Sequence, residues 1–184
     1  MLFSIQNFRL SEAQFLESPN QSPRSLDIKP DLVIIHNISL PPGEYGGGYI
    51  AKLFNNTLDP SDHSYFEQIH ALKVSSHLLI ERDGLVTQFV PFNQKAWHAG
   101  ESAYCGRGNC NDFSIGIELE GTDFEPFTET QYIALIEITR LLLVNYPSLN
   151  HDRIVGHSDV APGRKTDPGP FFDWARYKSA VTAK

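Results

Sequence analysis

The sequence predicts an α/β fold in which a central mixed β-sheet is flanked by helices on both faces. Three features predict it. Leu32 to Ile35 is a continuous β-branched apolar run, Phe113 to Glu120 alternates apolar with polar residues, and a capping-box signature opens a helix after Thr128. Strands interleaved with helices in a chain of 184 residues imply one layered domain around one core, taken here as residues 1–184.

Residues 1–30 carry scattered polar residues and the Ser18-Pro19-Asn20-Gln21-Ser22-Pro23 cluster, so they read as an irregular N-terminal segment packed on that domain. The domain proper begins near Lys29. Leu32–Ile35 suits a strand buried on both faces, with His36 directly at its C-terminal end. Stretches 46–56 and 64–72 add short helical pieces. Val74–Ile80 and Leu85–Val90 make a hairpin, with Asp83-Gly84 as its turn. Asn93 to Asp112 has no periodicity and is longer than a mere connection, which marks a loop that either lines a site or is disordered. In the next strand Phe113, Ile115, Ile117 and Leu119 take one face, leaving Glu118 and Glu120 on the other. Thr128-Glu-Thr-Gln131 caps a helix whose apolar residues are Tyr132, Leu135, Ile136, Thr139, Leu142 and Leu143, up to Pro147. Arg153–His157 is a short strand, and Phe172–Val181 is a closing helix. No internal repeat or low-complexity tract interrupts this order.

Composition excludes several classes of function. Fifteen Lys and Arg against 22 Asp and Glu give a net charge of -7, which argues against nucleic acid as a partner, since that affinity rests on neutralising phosphates. No run approaches the roughly 18 apolar residues of a membrane span. The opening MLFSIQNFRLSEAQFLESPN lacks the basic, apolar and small-residue zones of a secretory signal, so a cytoplasmic monomer with no membrane partner is expected. Cys105 and Cys110 are then expected as free thiols. A short loop disulfide, or half of a zinc site lacking its second cysteine pair, are the alternatives.

His36 and His157 each follow an apolar strand-like run at once, the place where a sheet projects functional groups into a crevice. Either alone would read as a buried histidine satisfied by the backbone. Asp167 precedes Pro168, and Pro168-Gly169 fit the central positions of a type II turn, which pins its carboxylate. Two neutral imidazoles and a carboxylate from separate segments make a three-ligand zinc site with the fourth position open, as catalytic zinc requires. Magnesium or calcium would call for more oxygen donors.

Four strings carry a resemblance: His36-Asn-Ile-Ser-Leu-Pro-Pro-Gly43, Ala96-Trp-His-Ala-Gly100, the stretch Asn111 to Asp123, and Arg164-Lys-Thr-Asp-Pro-Gly-Pro170. From about Leu32 to Arg176 the chain resembles the family 2 N-acetylmuramoyl-L-alanine amidases, and among them the cytoplasmic enzymes that act on 1,6-anhydro-muropeptides in peptidoglycan recycling. The resemblance implies the fold shared with peptidoglycan recognition proteins, one Zn2+ at His36, His157 and Asp167, Glu118 as proton acceptor and Lys165 as transition-state stabiliser. Ser158 and Gly163 depart from it, standing where cysteine and glutamate are expected.

The substrate implied is a soluble muropeptide. Trp97 would stack on its sugar, Arg164 or Arg107 would pair with peptide carboxylates, and Asn37 would bond the peptide backbone. His77 and His98 are candidates to support the metal ligands. His63, His70 and His151 read as surface, Glu120 as a solvated strand carboxylate, and Gly43-Glu-Tyr-Gly-Gly-Gly48 as a mobile loop near the site. The rival readings are a non-catalytic peptidoglycan-binding module and an exported amidase acting on intact wall. A zinc deaminase is excluded, because its H-x-E and P-C-x-x-C elements are missing.

Overall fold

The computed structural model describes residues 3–25 and 27–183. Its central sheet has six strands: β1 (Gln14–Phe15), β2 (Leu32–Ile38), β3 (Leu78–Ile80), β4 (Val86–Gln88), β5 (Ser114–Glu120) and β6 (Ile154–Gly156). They lie in the order β6-β2-β5-β3-β4-β1. Only β3 and β4 pair antiparallel; every other neighbour is parallel, so the sheet is mixed. The β3–β4 hairpin closes where predicted, with Gly84 at φ 90° and its N–H donating to the Glu81 carbonyl.

Residue alternation decides what each face of the sheet does. Val33 and Ile35 of β2 and Ile115, Ile117 and Leu119 of β5 face one way, into a core with Leu135, Ile138, Leu142, Tyr177 and Val181. Those partners come from α3 (Glu129–Asn145) and α5 (Trp174–Thr182). Because Ile138 is buried while Ile136 and Leu143 are only partly so, the buried stripe of α3 is rotated slightly from the one read in the sequence. Its capping box forms: Thr128 Oγ1 accepts from the Gln131 N–H at 3.2 Å, and the Thr128 N–H donates to Gln131 Oε1 at 3.0 Å. Gln131 then spends its buried amide on the carbonyls of Ile80 and Glu120, fastening the helix start to the sheet end that carries the site.

The opposite face is covered by α1 (Tyr49–Phe54) and α2 (Phe66–Ile69), whose Leu53, Phe54 and Phe66 pack with Leu79 and Phe89. Burying such side chains contributes about 1.5–3 kcal/mol each. A third cluster, with Leu32, Ile34, Ala99, Phe113 and Val155, closes the N-terminal half of this face. Between the second and third clusters the sheet end stays open.

Two segments are more ordered than the sequence suggested. The expected irregular N-terminal segment contributes the edge strand β1 and a ribbon, Gln21–Pro23, paired with Gln94–Ala96. Arg24 locks it down by donating to the carbonyls of Asn111, Asp112 and Ser114, and burial lowers the Arg24 pKa only to about 10, so it stays charged. The 93–112 stretch is held by the same contacts and by Asn111 Oδ1, which accepts from the N–H groups of His98 and Ala99. Side-chain-to-backbone bonds of this kind leave no periodic trace in a sequence. Cys105 is exposed, Cys110 is buried, and both are free.

Candidate metal centre

The parallel register of β2 and β5 sets His36 beside Glu118, both on the face turned away from α3. His157 opens a one-turn helix, α4 (His157–Val160), directly after β6, so the two histidines come from neighbouring strands. The β2 strand runs on past His36 to Ile38 because its pairing with β5 continues to Glu120.

Asp167 arrives on a turn that differs from the predicted one. The Asp167–Pro168 bond is cis, and the Gly169 N–H donates to the Thr166 carbonyl at 3.0 Å. Proline is therefore the third residue of a type VI turn, not the second of a type II turn. The Asp167 carbonyl accepts from the Ser158 N–H, tying this turn to the start of α4. A Cβ at Gly156 would lie 2.8 Å from the Pro168 ring, so only glycine lets β6 and the turn approach this closely.

The three predicted ligands converge. His36 Nδ1 and His157 Nδ1 are 2.9 Å apart, and each is 3.0 Å from Asp167 Oδ2. All three residues are buried. His157 Nε2 lies 3.1 Å from the Ala99 carbonyl, which can only accept, so Nε2 donates there and Nδ1 is left facing the other two side chains. Burial pulls the His36 pKa down to about 4, so its imidazole is neutral near pH 7. Burial alone would raise the Asp167 carboxyl, but the His157 and His36 rings, each 3.0 Å from Oδ2, outweigh it and hold the carboxyl well below its ordinary range. Two imidazole nitrogens and a carboxylate oxygen thus converge within 3.0 Å of one another. That is a donor set a divalent cation requires.

These groups form one wall of a cleft of about 390 Å³ with Glu118, Lys165, His98, Asn37 and Trp97; Leu53, Phe54, Tyr65 and Ile69 form much of the other. The Glu118 carboxyl is raised well above the usual range by burial and by the nearby Asp167 charge, with Lys165 opposing. Its Oε2 is buried without a hydrogen-bond partner. A buried oxygen left unpaired on a residue that lines the cleft suits a group that acts on something bound there. Lys165 is exposed, and no ion pair or hydrogen bond of its ammonium is found among the described residues.

The remaining candidates separate. Trp97 lines the cleft with its indole N–H donating to Ser22 Oγ at 3.1 Å, and Asn37 donates to Asp123 Oδ1 at 2.6 Å. Arg164 is spent on the carbonyls of Ala99 and Glu101, so it braces the loop beneath His157 and is not free for a peptide carboxylate. Arg107 does not join the cleft. It pairs with Asp31 at 2.6 Å and lies over the Phe113 ring, at the end of β2 opposite the cleft.

His77 is buried, with Nδ1 accepting from the Gly116 N–H and Nε2 within reach of the Gln94 carbonyl, so it serves the sheet and not the ligands. His98 Nδ1 lies 2.9 Å from His36 Nε2. Glu120, read as solvated, is buried, its oxygens accepting from the N–H groups of Gly46 and Arg82. The glycine-rich segment read as mobile is thereby tethered to the sheet. The sequence analysis gave no role to Asp123, although it closes one of the four strings that carry the resemblance, nor to the α2 wall residues, which sit in no pattern that signals chemistry.

A family model for N-acetylmuramoyl-L-alanine amidase matches residues 26–170. With that match spanning most of the chain, and with this fold and donor set, the chain belongs to the N-acetylmuramoyl-L-alanine amidase family, a family of enzymes. Within it, the chain is 53% identical over 178 residues to the 1,6-anhydro-N-acetylmuramyl-L-alanine amidase AmpD of Enterobacter cloacae, covering 97% of this chain and 95% of that one. A crystal structure of a selenomethionine AmpD derivative matches with a TM-score of 0.94 at 52% identity, covering 99% of this chain and 100% of that one. Escherichia coli AmiD, in complex with the substrate anhydro-N-acetylmuramic acid-L-Ala-D-γ-Glu-L-Lys, matches with a TM-score of 0.61 at 28% identity, covering 97% and 65%.

Proposed function

We propose that this chain uses one zinc ion to hydrolyse the amide joining 1,6-anhydro-N-acetylmuramic acid to L-alanine in soluble muropeptides, a cytoplasmic recycling reaction. The observation that carries the reading is the convergence of His36, His157 and Asp167 in a cleft that is also lined by the buried Glu118, whose Oε2 has no partner. Two nitrogens and one oxygen suit zinc better than magnesium or calcium. The substrate follows from the likeness to AmpD over nearly the whole chain. No helix among the described residues is long and apolar enough to cross a membrane.

Zinc bound at this triad supplies Lewis acidity, polarising the scissile carbonyl and bringing the pKa of water to about 7. Glu118 takes the water proton and returns it to the departing alanine nitrogen. Its burial raises its proton affinity toward the working pH, which suits both halves of that transfer. Lys165 faces the same space and stabilises the oxyanion of the tetrahedral state. Trp97, its ring held by Ser22, offers an apolar face to the sugar, while Asn37 and Asp123 form a polar corner for the peptide.

Mass spectrometry of products from anhydro-muropeptide and from intact peptidoglycan, run beside metal analysis, tests this reading. Peptide released from the soluble anhydro substrate alone, by protein carrying one zinc, is the expected result. Cleavage of intact wall alone would assign the exported class, and bound zinc with no cleavage of either would leave a binding module. For the lysine, Lys165→Ala is expected to keep zinc and lose turnover by about 100-fold, the scale of one oxyanion donor. Unchanged turnover would remove it from the mechanism.

A further inference from the structure

We propose that Ser114 and His98 form a proton-ordering relay that fixes His36 in the tautomer able to ligate metal. This deepens the zinc reading above and rests on it. The chain of contacts starts at a group with no choice. The Cys110 carbonyl lies 2.6 Å from Ser114 Oγ and has no proton to give, so the contact is attractive only if the Ser114 hydroxyl donates. A serine has one proton, and this one is spent. Ser114 Oγ also lies 3.1 Å from His98 Nε2, and toward that nitrogen the hydroxyl can only accept. His98 therefore carries its proton on Nε2 and presents a lone pair at Nδ1.

That lone pair lies 2.9 Å from His36 Nε2, which must donate. His36 Nδ1 is then stripped of its proton and turned toward His157 Nδ1 and Asp167 Oδ2. With its Nε2 held against the Ala99 carbonyl, His157 likewise turns Nδ1 toward the other two donor atoms. One carbonyl, two residues from different segments and one imidazole edge thus determine where a proton sits at the metal.

A second observation is independent of any proton. A glycine inside a strand weakens it and marks a close approach. At Gly116 the approach is made by His98: a Cβ there would lie 2.5 Å from the His98 ring. On β5 the positions on the cleft side are Ser114, Gly116, Glu118 and Glu120. Ser114 bonds the far nitrogen of His98, Gly116 gives its ring room, and Glu118 sits beside His36, so one strand face seats the relay and the general base together. His98 touches neither substrate nor reacting atoms in this scheme; it is a positioning residue.

The test uses the full chain. Long-range nitrogen–proton NMR of the His36 ring in metal-free protein reads the tautomer directly, without relying on zinc or activity, and the proton is expected on Nε2. Zinc dissociation constants, from competition with a chromophoric chelator, are then compared for Ser114→Ala, His98→Ala and His98→Asn. Alanine at either position is expected to weaken zinc binding about 10- to 100-fold, the scale of an outer partner of a metal-bound histidine. His98→Asn, whose side-chain oxygen replaces the Nδ1 acceptor, is expected to recover most of the loss. A His36 proton on Nδ1, or zinc binding by His98→Ala within twofold of the unmodified chain, overturns the relay. Failure of the unmodified chain to bind zinc would overturn the metal reading instead, while the tautomer measurement still decides the relay.

Discussion

Asp167→Asn is expected to abolish zinc retention and turnover together. The amide keeps the shape of the carboxylate and loses its charge, so two neutral imidazoles remain to hold a dication in a buried site. Loss of a supporting partner of a metal-bound histidine already costs 10- to 100-fold in affinity. Removing a ligand that is itself, among the described residues, the only anion within hydrogen-bond distance of both histidines should exceed about 100-fold on that scale. Chelator competition gives the affinity, and amidase assay in zinc-buffered medium gives the turnover.

The same substitution separates metal binding from folding. At a free zinc concentration 1,000 times the dissociation constant, binding stabilises the native state by about 4 kcal/mol. For a chain of this length that corresponds to a melting temperature higher by about 10 °C. Chelation should therefore lower the melting temperature of the unmodified chain by that amount and leave Asp167→Asn nearly unmoved. If Asp167→Asn shows the same chelator-dependent shift, the aspartate is not a ligand.

Legibility in the sequence followed the range of the forces involved. Strand β5 was readable because its alternation directly records which side chains meet the α3 core, and α3 was readable because its capping box is local. The triad was readable for a related reason. A histidine at a strand end and an aspartate pinned before proline are local placements, although only the fold brings them within 3 Å. What escaped depends on distant partners. Glu120 looks like any polar strand residue until Gly46 and Arg82 approach it, and Arg107 looks free until Asp31 and Phe113 are folded beneath it. Ser114 and Gly116 did leave a trace, since two small residues on the face that also carries Glu118 imply that something packs close there. Which histidine fills that space depends on the path of the 93–112 loop, set by Asn111 and Arg24 through backbone contacts.

Glu118→Gln should divide catalysis from binding and, in metal-free protein, raise stability while removing activity. Glutamine fills the same volume beside His36 but cannot take a proton from water, and the loss expected for a general base is about 100- to 10,000-fold in turnover. Zinc affinity should hold, because Glu118 is not among the three converging donors. The stability arm follows from its proton equilibrium. Burial first, and the Asp167 charge second, raise the folded-state pKa of Glu118 above that of the unfolded chain. A group raised in this way leaves stability intact below its unfolded pKa and costs stability as pH rises through its folded pKa. The neutral amide escapes that cost. In metal-free protein the variant's advantage in urea denaturation should therefore be largest at neutral and higher pH, and should shrink toward zero as pH falls below the ordinary carboxylate range. Equal stability of the two proteins at neutral pH would mean that Glu118 gains a compensating partner when ionised, and full turnover by the variant would move the proton transfer to another group.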